Sequence, residues 1–370
     1  MTTEEQSNYN KIKSFLGDTM LPSLDGYTKL PKIVSPDEKN SNKEQNTNGV
    51  LISTHSFPKI FKIFDNTCKC LNIPNELFNL RVYPELEIQG YAYTSIEEPF
   101  DISISSGSVN RLSEDELSFL IGHEIGHCLM GSLISFSKQS NTLEDLVYSR
   151  RLEVSADRFG YLAVGNIETA TKTLMKLMTG LNDEYLDYDI NKILESQNNQ
   201  ASKDRLYYKY LSHPPDFLRI SFLYNYSLIG YEDLQHRKSK SIEKSNKTIE
   251  AQLDELIDNE VYKIVQEKLS ALITWLLCLP ILMKQQIKVS EVAKTLAVEI
   301  NADEVKKTIT LVSSIPDAER ASYVYKCVMD LMVACFRTGP RLTDRALHSY
   351  KSLFPTIRFD DDSFYKNIFE

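Results

Sequence analysis

His123 and His127 lie four residues apart with Glu124 beside the first, in the run Ile121-Gly122-His123-Glu124-Ile125-Gly126-His127. On an α-helix, residues i and i+4 project from the same side, so this spacing can bring two imidazole nitrogens onto one ion. Glu124 sits one step round the helix, where its carboxylate can take a proton from an activated water instead of ligating the metal. The chemistry implied is hydrolysis by metal-activated water. A motif this short also occurs in ordinary helices with two surface histidines, so the rest of the chain has to decide.

An open zinc site needs a third protein ligand. Downstream, Glu153 and Asp157 are again one helical turn apart, in Arg151-Leu152-Glu153-Val154-Ser155-Ala156-Asp157-Arg158-Phe159-Gly160. If Glu153 reaches the ion, Asp157 can accept from the free N–H of a ligand histidine and fix its tautomer. Taken alone, the same residues also read as a solvated acidic face pairing with Arg151 and Arg158. A metzincin pattern would put a third histidine at the position of Leu133, so a glutamate ligand is favoured. A third signal is Ser212-His213-Pro214-Pro215. The prolines restrict the backbone of that segment, which suits a group that meets a developing oxyanion in a fixed place, although a plain surface turn has the same look.

These residues need elements to hold them. Ser113 reads as an N-cap and Glu116 completes a capping box, with Leu117, Leu120, Ile121 and Ile125 as an apolar stripe and Gly131 as the end. Gly122 and Gly126 stand where a helix favours alanine, which predicts that another element or a substrate passes close by.

In this order, the His-Glu-Ile-Gly-His run, the segment from Glu153 to Gly160 and the segment from Ser212 to Ile220 resemble the HtpX and CAAX prenyl protease group of zinc metallopeptidases, which are gluzincins. The resemblance extends upstream through Pro58 to Ile73, Leu80 to Tyr83, Gly90 to Thr94 and Ile102 to Ile104, and covers about residues 50 to 230. It implies one zinc ion held by His123, His127 and Glu153, with Glu124 as general base. Asp157 would support the ligands, and His213 would stabilise the transition state with Arg219 nearby. The substrate would be a protein or peptide. Many members carry transmembrane helices, whereas this chain looks like a soluble branch, without the roughly 18 to 20 apolar residues that span a bilayer. The interval from His127 to Glu153 is short for the group. Where the family often has an asparagine-containing edge strand, Gly90-Tyr91-Ala92-Tyr93 stands here.

The 370 residues, 42% hydrophobic and 25% charged, are enough for more than one core. The expected class is α+β: a mostly helical zincin-type peptidase domain with a small sheet over 49–234, followed by an α-helical bundle over 250–370. Residues 1–48 read as an N-terminal segment and flexible linker, and 235–249 as a second linker. In the bundle, the apolar run Leu269 to Met283 is interrupted by Pro280 and reads as a buried helix. A net charge of −9 argues against a nucleic-acid surface. The six cysteines are scattered, which fits a reducing, cytoplasmic setting, and no secretory signal is apparent. Cys68, Cys70 and Cys128 leave a cysteine-based metal site as an alternative. The expectation is a zinc endopeptidase whose helical C-terminal domain can recruit a protein partner. The alternative from another class is a catalytically silent, peptidase-like binding or scaffold protein that keeps the zinc site.

Overall fold

The computed structural model describes residues 10–12, 14–16, 49–93, 98–133, 142–198, 210–231, 234 and 259–357. The polar stretches Ser35 to Asn48 and Gln235 to Lys247, read above as linkers, lie outside the described residues. The chain divides into two compact units, Met1–Gln139 with Tyr148–Glu255 and Ser140–Val147 with Leu256–Glu370.

The first unit contains a four-stranded sheet in the order β1-β2-β4-β3, formed by β1 (Val50–Leu51), β2 (Phe78–Tyr83), β3 (Gly90–Tyr93) and β4 (Phe100–Ser105). β2 and β4 run parallel, with Leu80 opposite Ile102 and Val82 opposite Ile104; β1 and β3 flank them antiparallel. The alternation in β4 explains its placement, since Phe100, Ile102 and Ile104 all point into the core and are fully buried. That leaves β3 as an edge strand among the described residues.

Helices α1 (Pro58–Cys70), α2 (Ser106–Arg111), α3 (Glu114–Leu133), α4 (Leu143–Val164), α5 (Ile167–Thr179), α6 (Ile190–Asn198) and α7 (Asp216–Ser227) accompany the sheet. The capping box forms: Ser113 N–H donates to Glu116 Oε2 at 2.8 Å and Glu116 N–H to Ser113 Oγ at 3.3 Å. Glu116 also receives the buried Lys176 ammonium of α5 at 2.9 Å, which ties α3 to α5. The expected apolar stripe of α3 turns out wider. Phe119, Cys128, Leu129 and Met130 are buried along with Leu117, Leu120, Ile121 and Ile125, so the helix is enclosed on nearly every side. Nor does Gly131 end it, since α3 runs to Leu133. Ile12 and Leu16, from the N-terminal segment, are buried in the same core.

The second unit holds α8 (Asn259–Leu276), α9 (Cys278–Leu282), α10 (Val289–Leu296), α11 (Ala302–Ser313), α12 (Asp317–Phe336) and α13 (Pro340–Leu353), and Ser140–Val147 at the start of α4 group with them. Its core gathers Val265, Leu272, Leu276, Val324, Val328 and Tyr350, together with Val147. The helical run Asn259–Leu282 is long and apolar enough, by length and composition, to cross a membrane. This corrects the expectation that no stretch approaches such a span. Half of its apolar window is buried inside the protein, with Val261, Val265, Leu269, Leu272 and Leu276 on one side, as in a core helix.

Candidate active site

Two helices supply the converging groups. α3 presents His123, Glu124 and His127, and α4 presents Glu153 and Asp157. Their close approach depends on small residues on both helices. A Cβ added at Gly122 would lie 2.8 Å from Ala163 Cβ and 3.0 Å from the Phe159 carbonyl oxygen, and one at Gly126 would lie 3.1 Å from Phe159 Cβ. On the other helix, a Cβ at Gly160 would lie 2.8 Å from the Phe119 ring and 2.9 Å from its carbonyl oxygen. The element that the glycines of the motif predicted is therefore α4.

At this crossing, His123 Nε2 and His127 Nε2 face each other at 3.0 Å. Glu153 Oε1 lies 3.2 Å from His127 Nε2, and Glu153 Oε2 lies 3.7 Å from His123 Nε2. Each residue thus offers one donor atom within 4.8 Å of the others, the only such group among the described residues. Two imidazoles and one carboxylate suit zinc and leave room for a fourth ligand. The donor set also has its outer support: His123 Nδ1 lies 3.0 Å from Asp157 Oδ1, which favours the tautomer whose Nε2 lone pair is free for the ion.

Asp157 is held in turn by Arg219 of α7, whose Nε and Nη2 donate to its two oxygens at 2.8 and 2.7 Å. Burial alone would raise the Asp157 pKa, but the Arg219 guanidinium outweighs it and the net direction is down. Arg219 Nη2 also lies 3.4 Å from Glu153 Oε2. His213 Nε2 lies 3.3 Å from Glu153 Oε1, and its Nδ1 is 2.9 Å from Ser212 Oγ. Ser212 and His213 are exposed and Pro214 and Pro215 buried, and the segment is tethered by Arg150 of α4, which donates to the Leu211 carbonyl at 2.7 Å. Arg150 is the residue that sequence reasoning missed. The solvated-face reading of Glu153 and Asp157 is overturned, since they are only 8% and 1% exposed, with Arg151 and Arg158 buried beside them.

Glu124 is buried, and that burial pushes its carboxyl pKa up, with His123 and His127 pulling the other way. A carboxyl shifted in this direction is better matched to proton transfer near neutral pH than an ordinary glutamate. Cys68, by contrast, has its thiol pushed up to about 12, mainly by burial. It is packed in the core and stands outside the donor group.

No curated protein and no solved structure matches the chain. Residues 55–146 match the sequence profile of Peptidase family M48. The matched segment contains His123, Glu124 and His127 and ends before Glu153, so the third donor and its supports rest on the geometry above. The profile and the donor set agree, and together they support an HtpX-like metallopeptidase of family M48.

Proposed function

We propose that the protein is a zinc-dependent endopeptidase that cleaves extended segments of protein or peptide. The observation that carries this reading is the convergence of His123, His127 and Glu153 beside a buried Glu124 that is not itself one of the donors. Bound zinc would supply a Lewis acid for the scissile carbonyl and acidify the attacking water. Glu124 would take the proton of that water and deliver it to the leaving amine nitrogen. His213, on its tethered turn, would donate to the developing oxyanion through Nε2. Arg219 and Asp157 would hold Glu153 and His123 in place through the change in charge.

An extended substrate has a natural seat along β3. This strand is an edge of the sheet and packs against α3, so backbone pairing would bring a peptide past Glu124. The six free cysteines, unpaired and mostly buried, support a reducing, cytoplasmic setting.

The test compares wild type with Glu124→Gln at matched zinc occupancy, using an unfolded protein as substrate. Both should bind about one zinc. Cleavage by the variant should fall by roughly 10²- to 10⁴-fold. Zinc bound without cleavage by either protein would favour a peptidase-like binding role, and absence of bound zinc would remove the site assignment itself.

A further inference from the structure

We propose that Gly90 is a positioning residue for Glu124, so that an edge strand without a side chain at this point sets where the general base stands. The inference rests on the reading of Glu124 given above. A Cβ built at Gly90 would lie 2.6 Å from Glu124 Oε1, 2.9 Å from Cγ and 3.0 Å from Cδ. Real Cβ atoms essentially never come within 3.0 Å of another heavy atom. All three nearest atoms belong to the Glu124 side chain; none is a zinc donor or a backbone atom.

Conformation does not explain this glycine. Gly90 opens β3 in ordinary strand geometry and is not among the residues with positive φ, so its backbone would accept any residue. What it supplies is space. The strand cannot easily retreat, because Gly90 pairs with Ile104 on β4, which is fully buried in the core. The helix cannot retreat either, because α3 is locked on its other side by the close approach of Gly122 and Gly126 to α4. The part free to yield is the end of the Glu124 side chain, and its carboxylate is the group that must meet the attacking water. A displacement of about 1 Å at such a group can cost on the order of 100-fold in rate.

The experiment is a double-mutant cycle on the full chain. Gly90→Ala should lower kcat by roughly 10- to 100-fold. Zinc affinity from chelator competition should stay at its wild-type value, because the donors are not touched. In the Glu124→Asp background, where the carboxylate is drawn back by one methylene, Gly90→Ala should cost little further. A wild-type kcat in Gly90→Ala, or a loss of equal size in both backgrounds, would overturn the proposal. Should Gly90→Ala fail to fold, Gly90→Ala with Glu124→Ala should recover a folded melting transition, and failure to recover it would show that the glycine is needed for another contact. If wild type and Glu124→Gln cleave alike, the assignment of the base fails instead, and the cycle in melting temperature still decides whether Gly90 makes room for Glu124.

Discussion

Asp157 joins three functions in one side chain. It lies 3.0 Å from His123 Nδ1, neutralises Arg219 and, through Arg219, steadies Glu153. An amide cannot replace it, because one end of the group would turn from acceptor to donor against either the imidazole or the guanidinium. Asp157→Asn should therefore weaken zinc binding by about 10- to 100-fold, measured by chelator competition, with activity recovering when zinc is supplied in excess. Unchanged zinc affinity would mean that His123 is oriented by something else. The pairing of Glu153 with Asp157 was readable because their helical spacing repeats that of the two histidines. Arg150 was not, since its grip on Leu211 spans 61 positions and leaves no periodic trace.

Between elements, the geometry of the His123, His127 and Glu153 donor group is a consequence of how closely α3 and α4 cross. The three glycines at this crossing are not equally constrained. Gly122 and Gly160 face contacts of 2.8 Å, with a backbone carbonyl among the obstacles, whereas the nearest contact at Gly126 is 3.1 Å. Replacing glycine with alanine in a helix gains about 1 kcal/mol in propensity. Overpacking costs about 1 to 3 kcal/mol. Gly126→Ala should thus be near neutral in urea unfolding, while Gly122→Ala and Gly160→Ala should destabilise. The latter two should also lose zinc affinity, because spreading the helices separates the imidazoles from Glu153. Equal effects at all three positions would count against the crossing as the determinant. The sequence signalled the close approach through Gly122 and Gly126 but not its partner, because a glycine reports missing volume without saying what fills it. It gave α3 only a stripe of apolar residues, and Glu153 and Asp157 taken alone also read as a solvated face. Charged residues on α4 suggest solvent, whereas here Arg150, Arg151, Glu153, Asp157 and Arg158 are buried.

At the scale of the whole molecule, the two units can be tested separately because the chain has a single tryptophan, Trp275, which lies on α8 in the second unit. The start of α4 also groups with that unit, a division that hydrophobic periodicity alone does not reveal. There Glu144 is buried, its Oε2 accepting the Arg341 N–H at the start of α13 at 2.9 Å. Burial raises its pKa from 4.5 to about 7; the Arg341 N–H and guanidinium oppose the rise and Asp145 adds to it. The folded unit therefore favours the protonated acid. Its contribution to stability is complete below about pH 4.5 and is lost as pH rises through about 7. The full difference is worth up to about 3 kcal/mol. Glu144→Gln keeps an acceptor for Arg341 and removes the ionisation. Followed by Trp275 fluorescence, wild type should lose stability between about pH 5 and 8 relative to the variant, whose profile should be flatter. Parallel profiles would mean that Glu144 is already ionised at low cost, with Arg341 and the start of α13 balancing its charge more fully than its burial opposes it.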